Sequence, residues 1–158
     1  MSMVETGREF KIENVLTLRK KMTQAELLQE MQNIGKFLEQ NNIKKNGPIV
    51  TATFAVEQSS GQPLLDMEIM VPMDKPVELT GEYRLKEAFH LVNAVYARHK
   101  GDPNLLEDTY NRIAQYINEK KLQQITVAYN VNVVDLQPGQ PMDDMIVDVY
   151  IGVNPSIL

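Results

Sequence analysis

The chain has 158 residues, a formal net charge of −5 and 43% hydrophobic residues, a composition typical of a globular domain that can bury a sizeable core. It contains no cysteine, which excludes disulfide bonds and thiolate metal sites, and two histidines offer little for any other transition-metal site. The acidic charge argues against direct nucleic-acid binding, since phosphate recognition needs a clustered basic surface.

The first half of the chain predicts the order strand, helix, strand, strand. Residues 14–21 form the first predicted strand, and Thr23 with Glu26 has the spacing of a capping box at a helix start. Apolar residues then recur with the spacing of one helical stripe: Leu27, Met31, Ile34 and Leu38. Two runs with period-2 alternation, 50–56 and 65–71, predict two antiparallel strands after the helix.

The second half predicts the same order of elements. Residues 73–87 are interpreted as a connection, and 88–100 as the next strand. Asp102 followed by Pro103 predicts a helix cap and a helix-compatible φ. The helical stripe here consists of Leu106, Tyr110, Ile113 and Ile117. Alternation over 125–133 and 145–151 predicts the last two strands.

The two halves also repeat in sequence, at an offset of 78 or 79 positions. The tripeptide Gly-Gln-Pro occurs at 61–63 and again at 139–141, 78 positions later, and each copy is followed by Asp-Met at the same distance. The helical stripes and their cap residues are displaced by 79 positions. The change from 79 to 78 indicates one residue deleted in the second half between helix and hairpin. Such a repeat is typical of an internal duplication, so we expect half-repeats over about 10–73 and 82–153.

These elements predict an α+β fold built as a tandem strand–helix–strand–strand repeat with pseudo-twofold symmetry. Each helix must bury its apolar stripe against one face of an antiparallel sheet. The two helices would therefore lie on one face, and the opposite faces would leave a central groove. Grooves between halves are common ligand sites.

The face turned away from the helices supplies the candidate ligand-binding residues, taken from the alternation of the strands. These residues are Thr51, Thr53, Glu68, Met70, Asn130, Asn132, Ile146, Asp148 and Tyr150. Glu68 and Asp148 lie on corresponding hairpins beside apolar or aromatic neighbours. Such carboxylates attract a lipophilic cation, and they are equally compatible with two solvated surface charges.

Three stretches, in this order, carry a family resemblance: DMEIMVPM at 66–73, GEY at 81–83, and AVYARHKG at 94–101 ahead of the Asp102 cap. Together they resemble gyrase-inhibitor-like (GyrI-like) domains, over about residues 10–153. That family includes effector-binding domains of multidrug-responsive and AraC-type transcription regulators, gyrase inhibitors and some cofactor-free hydrolases. The resemblance implies one GyrI-like domain over residues 1–158 and a ligand in the groove between its halves.

One departure from the family pattern affects the predicted chemistry. The resemblance places Asn130 where the family often has a glutamate and Asn132 where it often has a tyrosine. An amide carries no charge and is not a general base, which weakens both cation recognition and a hydrolase mechanism. Asp148 matches a position that is often acidic in the family, whereas the tryptophan of many family pockets is absent.

His99 lies in a basic cluster at a strand end, and His90 lies within a predicted strand. For both residues a structural role is favoured over catalysis. No serine lies in an elbow-type nucleophile motif, and no phosphate-binding glycine loop occurs.

The first functional hypothesis is a stand-alone, non-enzymatic effector-binding domain without metal or cofactor. We expect its ligand to be a small organic molecule, with cationic aromatic compounds as candidates. Its expected role is either transcription regulation through a transcription-related partner protein or sequestration of that ligand. The alternatives are a protein–protein interaction module with a degenerate groove and, third, a cofactor-free hydrolase.

No apolar run is long enough to span a membrane, and residues 1–11 lack the apolar stretch of a secretion signal. We therefore expect a cytoplasmic protein that binds neither membrane nor nucleic acid directly.

Overall fold

Antiparallel strands and two α-helices make up the chain in a computed structural model, which describes residues 3–58, 61–134 and 139–156. The strands and helices in chain order are β1 Glu5–Met22, α1 Gln24–Gln40, β2 Val50–Glu57, β3 Leu64–Pro72, β4 Arg84–Lys100, α2 Leu106–Glu119, β5 Gln124–Asn132 and β6 Ile146–Val153. This confirms the α+β class and the predicted order of elements. Among the described residues, neither helix has the length and apolar character needed to cross a bilayer.

The chain divides into two compact units. The first unit is Ile12–Phe89, and the second unit is His90–Leu158 together with Met1–Lys11. Each unit contains one helix and strands in antiparallel register. The first residues of β1 therefore belong to the second unit, and the first residues of β4 belong to the first unit.

In the first unit, α1 begins at the predicted capping box. The Thr23 hydroxyl accepts a hydrogen bond from the Glu26 amide at 3.2 Å, and the Glu26 carboxylate accepts one from the Thr23 amide at 3.0 Å. Strand β3 pairs with β1 on one side and with β2 on the other. The helix buries its predicted stripe in a core formed with β1 and β3: Leu16, Leu18, Met22, Leu27, Ile34, Leu38, Met67, Ile69 and Val71.

In the second unit, β6 pairs with β4 and β5, and α2 covers the resulting sheet. The Asp102 carboxylate accepts a hydrogen bond from the Asn104 amide, but it caps a 3-10 turn over Pro103–Leu105. The α-helix itself begins one turn later, at Leu106, without a side-chain cap. The core joins both sheet and helix: Val95, Ala97, Ile113, Ile117, Val147, Val149, Ile151 and Val153.

Two strands are longer than predicted. Strand β1 begins at Glu5 rather than at residue 14, and β4 begins at Arg84, so residues 84–87 are not part of the connection. Both extensions lack a simple apolar alternation, because charged side chains occupy positions on either face. The period-2 pattern therefore detects only the more buried part of each strand.

The predicted faces of β3 and β6 are confirmed, whereas those of β2 and β5 are wrong. Directly paired residues of antiparallel strands lie on the same face of a sheet. Thr51 and Thr53 pair with Ile69 and Met67, which belong to the core under α1. By the same argument Asn130 and Asn132 pair with Val149 and Val147 of the core under α2. These four polar residues therefore lie on the helix side.

The face away from each helix is buried rather than solvated. In the first unit Met70 is 0% exposed and Glu68 is 6% exposed, and in the second unit Asp148 and Tyr150 are each 7% exposed. Apolar residues of β2 that were predicted to face α1, such as Val50 and Ala52, lie on this second face and are also fully buried. Both faces of the sheets therefore carry buried side chains.

Candidate functional site

The second unit holds a buried carboxylate on its sheet face away from α2. Asp148 of β6 lies opposite Arg98 of β4 and accepts two hydrogen bonds from its guanidinium, Nε to Oδ1 at 2.7 Å and Nη2 to Oδ2 at 3.0 Å. The Tyr96 hydroxyl donates a third hydrogen bond to Oδ1 at 2.9 Å. The antiparallel register of β4 and β6 thus places all three groups together.

Aromatic rings adjoin this carboxylate. The Tyr96 and Tyr150 ring centroids lie 5.0 Å apart, and Phe10 of β1 lies 4.9 Å from Tyr150. The Arg8 guanidinium lies 4.1 Å from the Tyr96 ring centroid, a cation–π contact, and Nη1 donates to Glu5 at 3.0 Å. We call these six side chains the Asp148 cluster: Arg8, Phe10, Tyr96, Arg98, Asp148 and Tyr150.

Burial and neighbouring groups raise the pKa values of two tyrosines and one arginine of the cluster. Burial, followed by the hydrogen bond to Asp148, raises the pKa of Tyr96, and burial is also the main cause of the raised pKa of Tyr150. The hydrogen bond to Asp148 raises the pKa of Arg98. Both phenols therefore remain neutral at physiological pH, and the Tyr96 hydroxyl donates to Asp148.

A cavity of about 720 Å³ adjoins the Asp148 cluster within the second unit. Tyr96 and Arg98 belong both to the cluster and to the cavity wall. Lys100 at the end of β4 and Asp108, Thr109 and Arg112 of α2 complete much of the remaining wall. Its volume lies within the range of roughly 300–1,000 Å³ that is typical of small-molecule sites.

His99 links the strand to the helix at this wall. Its Nε2 lies 2.9 Å from the Asp102 carbonyl oxygen, and its Nδ1 lies 2.9 Å from the Thr109 hydroxyl. Arg112 in turn donates to the same hydroxyl at 3.1 Å. With a proton on Nε2 and none on Nδ1, the ring donates to the Asp102 carbonyl and accepts from the Thr109 hydroxyl. These contacts are consistent with the structural role predicted for His99.

The first unit holds a second buried carboxylate. Glu68 of β3 accepts a hydrogen bond from the Lys86 ammonium at 3.0 Å, and this ammonium lies 5.7 Å from the Phe89 ring. On the same face Arg19 donates to both carboxylate oxygens of Asp66 at 3.2 Å and stacks over Phe54 at 3.9 Å. As in the second unit, the acidic and aromatic groups are already in contact with cations of the chain itself.

The nine predicted site residues thus lie on different sheet faces. Ile146, Asp148 and Tyr150 share one face of the second unit, and Glu68 and Met70 share one face of the first unit. Thr51, Thr53, Asn130 and Asn132 lie on the helix sides, where the Asn130 amide oxygen accepts from the Tyr110 hydroxyl at 2.8 Å.

Sequence reasoning missed the partners of the carboxylates. Tyr96 and Arg98 were detectable from their period-2 spacing on a predicted strand. Arg8 carried no such signal, because it precedes the first strand that the pattern predicts. Among the described residues, no group of three or more acidic or histidine side chains has an arrangement suited to a metal ion.

Comparison by sequence finds no matching family model and no match among curated proteins. Comparison by structure does find similar folds. The C-terminal domain of EcmrR, known from a crystal structure, has a TM-score of 0.74 and 12% identity over 99% of both chains. The EcmrR chain in a cryo-EM structure of an EcmrR–DNA complex has a TM-score of 0.77 and 12% identity.

That second match covers 99% of the present chain but 58% of the EcmrR chain, so the present chain spans somewhat more than half of its length. A hydrolase from Listeria innocua is also similar, with a TM-score of 0.61 and 14% identity over 94% of this chain and 92% of the other. Identities this low show the fold alone. The fold is the one that the sequence resemblance implied, and the chain has the fold of a GyrI-like domain.

Proposed function

We propose that this chain is a non-enzymatic effector-binding domain that binds a small organic molecule and acts on transcription through a partner protein. The single observation that carries the proposal is the cavity of about 720 Å³ whose wall includes Tyr96 and Arg98 of the Asp148 cluster. A volume suited to a drug-sized molecule beside oriented polar groups and an aromatic ring is the usual description of a ligand site. The fold shared with the EcmrR C-terminal domain supports the same reading.

Two residues of the cavity wall, Tyr96 and Arg98, have distinct roles in this proposal. The Tyr96 ring, over which the Arg8 guanidinium lies, contributes an aromatic wall to the cavity. Asp148 fixes the orientation of Arg98 through two hydrogen bonds, so the guanidinium does not need to be ordered when a ligand arrives. Tyr150 and Ile146 continue the same sheet face and remain proposed ligand contacts of the second unit. Glu68 and Met70 remain proposed contacts of the first unit, considered by itself.

The transcription link comes from the structural relatives. EcmrR is seen in a complex with DNA, and the present chain corresponds to 58% of that EcmrR chain. The present chain is acidic, so we propose that it does not contact nucleic acid itself and that a partner protein mediates any effect on transcription.

Thermal unfolding against a panel of small aromatic compounds tests the proposal. A compound that binds the folded state raises the unfolding temperature by mass action, with about 2.7 kcal/mol of stabilisation at a hundredfold excess over Kd. Replacing Tyr96 by Leu removes this aromatic wall and is expected to abolish the shift. Tyr83→Leu in the first unit serves as the matched control and should retain it. A flat response of the wild-type protein over the whole panel contradicts the proposal.

A protein–protein interaction module is the second candidate. It is favoured by the ion pairs themselves, because Asp148 and Glu68 already contact Arg98 and Lys86 and need no ligand to balance their charge. In that case the compound panel leaves the unfolding temperature unchanged, whereas a partner protein raises it.

The hydrolase hypothesis is supported only by the fold that the chain shares with the Listeria hydrolase. The side chain best suited to be a base at the cavity, His99, has hydrogen-bond partners at both ring nitrogens. Hydrolysis of an activated ester that disappeared in Asp148→Asn would favour this third function.

A further inference from the structure

The Asp148 cluster contains a cation where a positively charged aromatic ligand would need to lie. The Arg8 guanidinium is 4.1 Å from the Tyr96 ring centroid. The Tyr150 ring, which lies beside the Tyr96 ring, also contacts the Phe10 ring at a centroid distance of 4.9 Å. A cation over a ring face is also the geometry by which aromatic residues bind cationic ligands. Arg8 and a cationic ligand would therefore compete for the same ring.

The charges around the cavity favour the same conclusion. Four cations belong to the cluster or to the cavity wall: Arg8, Arg98, Lys100 and Arg112. Three carboxylates accompany them, namely Glu5, Asp108 and Asp148. The excess is positive here although the chain as a whole has a net charge of −5. A charged ligand responds mainly to the groups within a Debye length, about 8–10 Å.

We propose that Arg8 sets the charge preference of the ligand site, so that the wild-type protein binds neutral and anionic aromatic molecules in preference to cationic ones. This inference rests on the proposed function as a small-molecule binder. The guanidinium occupies one face of Tyr96 and also adds a positive charge next to the cavity. Because Arg8 pairs with Glu5, which lines the cavity, its removal also leaves that carboxylate uncompensated. Both effects act in the same direction.

Three anthracene probes with one shared ring system test the charge preference: 9-anthracenecarboxylate, 9-anthracenemethanol and 9-(aminomethyl)anthracene. Their dissociation constants are measured by fluorescence titration at an ionic strength of about 0.15 M, where the Debye length is about 8 Å. For the wild-type protein we expect the carboxylate to bind more tightly than the amine. In Arg8→Ala we expect the amine to bind about three- to tenfold more tightly, which corresponds to a cation–π contact of ordinary strength. The carboxylate is expected to weaken, and the alcohol to change less than either.

Two control variants separate charge from structure. Arg8→Lys keeps the positive charge over the ring, so it should keep the wild-type order of affinities. Arg84→Ala removes an exposed arginine of the first unit whose guanidinium donates to backbone carbonyls at Gly81 and Tyr83. It should leave all three affinities unchanged. Circular dichroism of every variant establishes that the fold is retained.

The possible results distinguish the two proposals. If the probes bind, and Arg8→Ala leaves the ratio of amine to carboxylate affinity as in the wild type, the role of Arg8 is refuted while the binding function stands. A wild-type protein that prefers the amine also refutes it. If no probe binds any variant and the wider compound panel has no effect on unfolding, the binding function fails, and the role of Arg8 fails with it.

Discussion

Replacing Asp148 by Asn tests whether the buried ion pair of the second unit stabilises the fold. The amide has almost the shape of the carboxylate, so packing is unchanged and the charge is the main loss. The Tyr96 hydroxyl still finds an oxygen acceptor, whereas Arg98 loses its charged partner and one of two acceptor oxygens. The variant therefore isolates the pair between Asp148 and Arg98.

The expected loss of stability depends on how exposed the two side chains of the ion pair are. Hydrogen bonds to a charged group contribute about 1.5–3 kcal/mol each when they are buried. The Asp148 side chain is 10% exposed, but the Arg98 side chain is 40% exposed, so water solvates much of the guanidinium once the pair is broken. We therefore expect the free energy of unfolding to fall by about 1–2 kcal/mol, less than for a fully buried pair.

The chain provides a matched control for this experiment. Asp66 in the first unit is also bound by two nitrogens of one arginine, Arg19, but at 3.2 Å and with a side chain that is 24% exposed. Urea unfolding of both variants at neutral pH gives the comparison, and Asp66→Asn should lower the midpoint by clearly less. Equal losses in the two variants, or no loss in Asp148→Asn, would show that the burial of Asp148 does not set the strength of its ion pair.

Three further predictions concern stability. Thr23→Ala breaks the capping box and should lower the free energy of unfolding by about 1 kcal/mol in urea, while Thr23→Ser should not; similar curves for both would contradict the cap. Thr109→Val removes the hydroxyl between His99 and Arg112 and should lower the free energy of unfolding by about 2 kcal/mol. Thr109→Ser keeps a hydroxyl and should retain most of the wild-type stability. Burial is the leading cause of a raised pKa for four tyrosines: Tyr83, Tyr96, Tyr110 and Tyr150. Since a raised pKa means that folding favours the neutral phenol, this stability is present below the ordinary value of 10.0 and is lost as pH rises through the folded values. In an alkaline pH titration, the tyrosinate absorbance of these four residues should therefore rise together with unfolding. If all four ionise near the ordinary value of 10.0 while the protein remains folded, the prediction is wrong.

Local sequence signals were sufficient for the order of the helices and strands and for the start of α1, but not for the starts of β1, β4 and α2. The helical stripe from Leu27 to Leu38 and the cap at Thr23 depend on residues within one or two turns, and both are present as predicted. The Asp102 signal was read correctly as a cap but assigned to the wrong helix type. A 3-10 turn and an α-helix share the same N-terminal donors, so a cap residue alone does not distinguish them.

Long-range register determined what the sequence left open. Period-2 alternation shows that a strand has two different faces. It identifies the apolar face as the one packed against the helix only where the opposite face is solvated. In β2 that condition fails, because Val50 and Ala52 are buried on the face away from α1, and a one-residue bulge between Thr53 and Ala55 changes the phase further. In β5 the buried Tyr129 likewise lies opposite Tyr150, away from α2.

The same dependence on register explains why the sequence identified Asp148 but not the cation that neutralises it. Arg98 is 50 positions away in sequence and becomes its partner only through the pairing of β4 with β6. Viewed without that pairing, Asp148 is an unbalanced carboxylate and predicts attraction for a cationic ligand. Viewed with it, the carboxylate orients a guanidinium, and Arg8 adds a second cation over Tyr96. The charge preference that we propose for the ligand site therefore depends on strand register more than on composition.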